Sequence, residues 1–285
     1  MSSSGEWVSQ VRILDVVTGR DEVVLESGRQ LEAPNWSMDG ESLILNADGS
    51  LLLLHIATGI LEDLPRAGVP RVNNDHVIAP DGRTLYVSTE AGSIHAIDLA
   101  QTGSSRAVTQ AAAPDARRYL HGVSPDGRTL VYVLLVERAS RVSTRIATMS
   151  VDGGPETVLT GDDGGRDDGP EFSPDGRWIL FNSERSTPGQ AQLYRMPAAG
   201  GPAEQLTFDD RVNWFPHPAP DGSGVLYLSY PPGTAGHPAD RDVALRLLKA
   251  DGSVRELLRL RGGQGTINVP SWHPNGHRFA FVAFG

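Results

Sequence analysis

The sequence predicts an all-β fold, a six-bladed β-propeller of four-stranded antiparallel blades in which the N-terminal strands complete the last blade. Three observations carry this reading: a turn motif that recurs six times, a second turn series interleaved with it, and termini that read as complementary half-blades.

The first series is Asp39-Gly40, Asp81-Gly82, Asp126-Gly127, Asp175-Gly176, Asp221-Gly222 and Asn275-Gly276, spaced by 42, 45, 49, 46 and 54 residues. Ser-Pro or Ala-Pro precedes four of them, as in Ser173-Pro174-Asp175-Gly176. Proline presets φ at the second position of a type I turn, and glycine accepts the positive φ just after it. Each motif therefore joins two strands, A and B, of one repeat. Three residues before each Asp or Asn stands Trp36, Ile78, Val123, Phe172, Pro218 or Trp272. After each turn comes a short apolar run, such as Leu43-Ile44-Leu45 or Ile179-Leu180-Phe181, which fits a strand buried on both faces.

The second series ends strand-like segments at Gly19, Gly59, Gly103, Gly153, Gly200 and Gly252, and joins strand C to strand D. The chain opens with a C–D hairpin, Val8–Asp15 and Glu22–Leu25, and closes with an A–B hairpin that ends at Gly285. Either half-blade alone exposes sheet edges; pairing them removes those edges and closes a ring. One propeller domain over 1–285 follows, with blade 6 built from 268–285 plus 1–27.

Composition agrees and narrows the function. The 32 glycines and 20 prolines suit a fold with many tight turns. With 25 Lys and Arg against 35 Asp and Glu the net charge is −10, which repels phosphate backbones and anionic membranes, so no nucleic acid partner is expected. No cysteine is present, which removes disulfides, thiolate nucleophiles and Cys-ligated zinc. The opening Met1-Ser2-Ser3-Ser4-Gly5-Glu6-Trp7 has no basic or apolar leader character. The longest apolar stretch, around Leu51 to Ile56, is far short of the roughly 20 residues that span a bilayer. No membrane span is expected, and the location is read as cytoplasmic, or periplasmic if a signal peptide has been removed.

The repeat Phe172-Ser173-Pro174-Asp175-Gly176-Arg177-Trp178-Ile179-Leu180-Phe181 resembles the WD40-like repeat of the TolB propeller family, and the resemblance covers essentially the whole chain. It implies the fold more than the function, because related blades also occur in prolyl oligopeptidase-type proteases, the tricorn protease and oligogalacturonate lyases. The separate N-terminal α/β domain of TolB proper and the α/β-hydrolase domain of the peptidases have no counterpart in this sequence.

Catalytic signatures are scarce. Gly122-Val123-Ser124-Pro125-Asp126 lacks the closing glycine of a nucleophile elbow and sits in a structural turn. No P-loop, dinucleotide fingerprint or His-Glu-x-x-His is present. Strand A lines the channel of a propeller, so residues four to eight places before each Asp-Gly turn converge on one mouth. They include Glu32, Asn73, Asn74, Asp75, His76, Tyr119, His121, Asp167, Asp168, Glu171, Asn213, Trp214, His217 and Asn268. Convergent polar groups in a concave site form a candidate binding site.

Each group also has a structural reading. His76 and His121 occupy the position that Pro34, Pro170, Pro216 and Pro270 hold in other blades, where a ring can simply bond a neighbouring strand. Alternatively, neutral imidazoles of His76, His121 and His217, with an Asn or a carboxylate, could hold a divalent metal. A histidine-rich metal site is what the resemblance to oligogalacturonate lyases implies. Trp214-Phe215 reads as packing between blades more readily than as a stacking platform. The acidic, glycine-rich run from Gly161 to Gly169 lacks EF-hand spacing and reads as a solvated loop rather than a calcium site. The long insertion Pro231–Asp242 in blade 5, carrying His237, Asp240, Arg241 and Asp242, reads as a lid or partner-contacting loop.

The expected ligand-binding set is Asn74, His76, His121, Glu171, Trp214, His217, His237, Arg241 and Asn268. The sequence thus points to a non-catalytic binding propeller that captures a peptide, a partner protein or a small polar ligand at the channel mouth, without a cofactor. A metal-dependent lyase or hydrolase of acidic oligosaccharides is the alternative.

Overall fold

A computed structural model describes residues 8–66, 68–101, 104–109, 115–138, 141–161 and 165–285, with Arg141 by its backbone alone. Among these residues every regular element is a strand, and no helix is long and apolar enough to cross a membrane.

The chain opens with β1 (Ser9–Asp15) and β2 (Asp21–Ser27). Blade 1 follows as β3 (Glu32–Trp36), β4 (Ser42–Ala47), β5 (Ser50–His55) and β6 (Ile60–Leu64). Blade 2 is β7 (Val72–Ile78), β8 (Thr84–Thr89), β9 (Ile94–Asp98) and β10 (Ser105–Ala107). Blade 3 is β11 (Ala116–Val123), β12 (Thr129–Arg138), β13 (Arg141–Ser150) and β14 (Thr157–Val158). Blade 4 is β15 (Asp167–Phe172), β16 (Trp178–Ser183), β17 (Gln192–Pro197) and β18 (Glu204–Gln205). Blade 5 is β19 (Val212–Pro218), β20 (Gly224–Tyr230), β21 (Arg241–Lys249) and β22 (Val254–Gly262). The last strand, β23 (Arg278–Phe284), pairs antiparallel with β1 from Ser9↔Phe284 to Asp15↔Arg278, and this closes the ring.

Five sheets have four strands, whereas the sixth is the three-stranded order β2-β1-β23. Its innermost strand is irregular: the segment before β23 touches it through the Trp272–Phe279 bridge, Ala280 N to Ser271 O at 2.9 Å and Val282 N to Thr266 O at 3.1 Å. The cause is local. Thr266 N is turned back to Gly263 O at 3.0 Å, Gly265 N to Asn268 Oδ1 at 2.6 Å, and Pro270 has no N–H to give a ladder.

All six A–B turns adopt one geometry. The glycine N–H bonds the carbonyl three residues back at 2.8–2.9 Å, with φ between 66° and 74°, a region that only glycine enters without strain. The aspartate two residues after the turn's first residue caps it: Asp126 Oδ1 accepts from Ser124 Oγ at 2.5 Å and Arg128 N at 3.1 Å. Such bonds hold the Asp39, Asp126 and Asp175 carboxyls below the usual range, Asp175 at about 2. Of the C–D turns, Gly103 lies outside the described residues.

Buried apolar residues fall into six clusters, one in each gap between neighbouring blades. Five of them hold eight to seventeen buried residues, and the cluster between blades 4 and 5 holds three, Leu193, Tyr227 and Leu248. The closing seam packs Val11 and Ile13 with Ala280, Val282 and Phe284 against Trp36, Leu43 and Leu45.

Phe281, fully buried in β23, tests the seam from its other side. Phe281→Ala is expected to lower urea-unfolding stability by about 3–5 kcal/mol through the cavity it leaves. Ile60→Ala, at a 56% exposed position, is expected to stay within about 0.5 kcal/mol.

Candidate functional site

The mouth is shaped by bulges in the innermost strands. In blades 1, 4 and 5 the pairing register slips at Ala33-Pro34, Gly169-Pro170 and Phe215-Pro216, and the residue before each proline has φ of 56°, 59° and 56°. A bulge bends its strand and re-aims the side chains around it. A Cβ on Gly169 would lie 2.9 Å from Asn182 Oδ1, the atom that accepts the Phe215 N–H at 3.0 Å from the next blade. In blades 2 and 3 the register also slips, at positions 72–76 and 120–122, with His76 and His121 in place of the proline.

These two histidines diverge. The His76 ring is fully buried, with Nε2 on the Ile44 carbonyl of blade 1 at 3.2 Å, and burial pushes it down to about 4, so it is neutral. It serves as an inter-blade tie. His121 instead spans the axis: Nδ1 bonds the Asn268 carbonyl of blade 6 at 3.2 Å, and Nε2 faces Asp168 Oδ1 of blade 4 at 3.4 Å. A carbonyl only accepts, so Nδ1 carries a proton, and an imidazolium satisfies both contacts.

Carboxylates gather around His121 from blades 2 and 4. Asp75 is buried, with Oδ2 accepting from Asn73 Nδ2 at 2.5 Å. Burial raises its pKa, His121 opposes that, Asp168 and Glu32 add repulsion, and the result is about 6. For His121, burial disfavours the charged form, but Asp75 and Asp168 outweigh it and the ring is shifted upward. Asp168 goes the other way: burial raises it, but the charges of His121 and His237 and the Gly169 N–H leave it lowered. Glu171 is raised by burial in spite of His217, whose Nδ1 lies 2.6 Å from its Oε2. The His217 Nε2 contacts the Ile267 carbonyl, and the His217 carbonyl accepts the Trp272 indole N–H at 2.9 Å. Burial likewise raises Glu32 at the rim.

The blade 5 loop folds over this cluster. The His237 ring sits 4.4 Å from Trp214 and 5.3 Å from Phe215, centroid to centroid, both edge-on, and its Nε2 is 3.7 Å from Asp168 Oδ2. Pro238 O accepts from Tyr230 Oη at 3.0 Å and Gln264 N at 3.2 Å, which fastens the loop. His237, Asp168, His121 and Asp75 thus form a chain of charges from loop to axis.

The expected residues separate accordingly. His121, Glu171, His217, His237 and Asn268 meet at the mouth. Asn74 joins its edge, accepting from Gln264 Nε2 at 3.4 Å, while the Gln264 Oε1 is buried without a partner. Trp214 is 3% exposed and packs between blades. Arg241 stands apart: it is exposed and donates to the Asp240 carbonyl. The rings of His76, His121 and His217 do not converge, and no group of three or more His, Asp or Glu arranged as metal ligands exists among the described residues. The acidic run beginning at Gly161 falls partly, at Asp162, Asp163 and Gly164, outside the described residues. Asp75, Asp168 and Gln264 are central here but absent from the expected set. The first two stand within the window of polar residues before the Asp-Gly turns.

Because burial raises Asp75, the folded chain holds a proton there between about pH 4 and pH 6 that the unfolded chain has lost. Stability therefore falls as pH rises through that window and stays lower above it. Asp75→Asn is expected to raise the thermal midpoint at pH 7.5, by an effect on the order of 2–3 kcal/mol, and to lose its advantage below pH 4. A lower midpoint at pH 7.5 would mean that the carboxylate is net stabilising.

Comparison with known proteins accords with this architecture. The profile described as TolB beta propeller domain matches residues 122–244. An uncharacterized protein of Agrobacterium fabrum is 39% identical over 284 residues, covering 98% of this chain and 94% of its own. A solved protein of Agrobacterium tumefaciens, provisionally called TolB, superposes with a TM-score of 0.89 at 38% identity, over 99% of both chains. TolB from Acinetobacter baumannii, at 18% identity and a TM-score of 0.65 over 91% of this chain and 66% of that one, shares the fold. The chain belongs to the TolB-like β-propeller family.

Proposed function

We propose that this propeller is a non-catalytic binding protein that captures a peptide or partner segment through a positively charged, hydrogen-bond-donating group at the channel mouth. One observation carries the reading: Glu32, Asp75, Asp168 and Glu171 crowd the mouth, and histidines are the only cations among the groups that shift them. Carboxylates that repel one another in a poorly solvated site favour an incoming ammonium or guanidinium, which relieves the repulsion and replaces lost hydration. The Gln264 Oε1 offers a further acceptor. His237 lies over the Asp168 end, where a ligand cation would compete with it for the carboxylate.

The metal-dependent lyase reading needs three imidazoles facing one point. Here each ring has a nitrogen engaged with a backbone carbonyl, His121 and His217 with the adjacent Asn268 and Ile267 and His76 with Ile44 in another gap, which leaves the binding reading as the better supported.

The test is an immobilised array of short peptides with free or acetylated amino termini, probed with the wild-type chain and three variants. Peptides with a free ammonium or a terminal Lys are expected to be retained by wild type and Arg241→Ala. Asp168→Asn and His237→Ala are expected to change retention at least tenfold, Asp168→Asn downward. Equal retention of free and acetylated peptides, or no change in Asp168→Asn, would overturn the proposal.

A further inference from the structure

The gap between blades 4 and 5 has the smallest apolar core of the six; towards the mouth it is filled instead by a polar network of Gln192, Thr207, Asp209, Asn213, Ser229 and Arg246. Its core is Leu193, Tyr227 and Leu248, and the buried Tyr227 hydroxyl has no hydrogen-bond partner. On the side of the Asp-Gly turns, opposite the mouth described above, the gap opens into a cleft of about 890 Å³. That volume lies within the roughly 300–1,000 Å³ of pockets that hold small ligands or a few side chains. Its walls are apolar: Leu206 and Val225 pack against the small core while remaining partly open, and Trp178 lines the blade 4 side. Arg195 lies 4.5 Å from the Trp178 ring and is held there by Glu204, with Nε to Oε2 at 2.8 Å, so this cation is already engaged.

The rim of the cleft is charged and unbalanced. Asp175, Asp221 and Asp251 border it, with Lys249 as the cation outside the Arg195–Glu204 pair. Asp175 is bound by Arg177, whereas Asp221 and Asp251 bond only the Ser223 and Ser253 that follow them in their own turns. Those bonds lower both carboxyls and keep them ionised at neutral pH. An apolar wedge between two sheets, with fixed negative charge at its lip, is complementary to an apolar side chain followed by a basic one.

We propose that the wedge between blades 4 and 5 is a second binding site, for a peptide segment that inserts a large apolar side chain between the blades and sets an adjacent basic residue against Asp221 and Asp251. The inserted group extends the smallest of the six apolar cores on its open side. The site is independent of the channel mouth and does not rest on the function proposed for it.

The test is an NMR titration of the ¹⁵N-labelled full chain with acetyl-Gly-Phe-Arg-Gly-amide. Saturable shifts are expected at the Gly222, Ala250 and Gly252 amides. Exchange of Phe for Ala or of Arg for Glu in the peptide is expected to weaken binding at least tenfold. Val225→Lys is expected to abolish it. The Asp221→Asn/Asp251→Asn double variant, in which the amide oxygens keep the turn caps, is expected to erase the preference for Arg over Glu without lowering the thermal midpoint. His237→Ala is expected to leave every shift in place, which separates this site from the mouth. Absence of saturable shifts, equal affinity for the Glu peptide, equal affinity for 2-phenylethylamine alone, or shifts confined to Gly169 and His237 would each overturn the proposal.

Discussion

The antiparallel pairing of β1 with β23 is the interaction on which the rest depends. Seven residue pairs bring the start of the described chain to its end, and the same two strands carry the apolar side chains that fill the gap to blade 1. Without it, both half-blades present unpaired N–H and C=O groups, and a twisted array of sheets has no reason to close. Closure also fixes where everything else stands. His121 of blade 3 meets a carbonyl of blade 6 only because the first and last blades have returned to face it.

The mouth that closure creates is electrostatically expensive. Asp75 lies within the field of both Asp168 and Glu32, in a place where water cannot screen them. A fold selected for stability alone would place Asn or an apolar residue at such a point, as it does with Asn35, which donates to Pro270 O at 2.7 Å and accepts Ile78 N–H at 3.0 Å to join blades 6, 1 and 2. Strain of this kind collects at sites that bind or react. The local backbone agrees: Ala33 and Phe215 hold left-handed φ values that non-glycine residues avoid. A mixed chain of carboxylates and imidazoles beneath a tethered loop is suited to selecting a ligand by charge.

Much of the ring was legible in the sequence because turns are local. Pro and Gly at fixed places in Ser173-Pro174-Asp175-Gly176 dictate backbone angles whatever surrounds them, so six copies mark six blades. The order of half-blades at the two ends then implies closure. The irregular inner strand of blade 6 was not legible, since Asn275-Gly276 repeats the turn while the departure arises upstream, in the loop around Gly263–Asn268. The site was legible as a window and not as a set of contacts. His76 and His121 share a register position, yet one ring turns into a blade interface and the other across the axis. That choice depends on what the opposite blades present, which no local spacing encodes. Arg241 and His237 belong to one loop, and its fold toward the Trp214–Phe215 surface carried only the second to the mouth.

The partner of Ser9 is Phe284, so the first strands emerge from the ribosome long before their pairing partner exists. At about 5–20 residues per second, synthesis of the intervening chain takes on the order of tens of seconds. Throughout that interval β1 is an unsatisfied edge, and the nascent chain can hold at most a stack of completed inner blades. Closure must wait until β23 has been made and is free to pair, which makes the ring slow to complete by the measure of its long-range contacts.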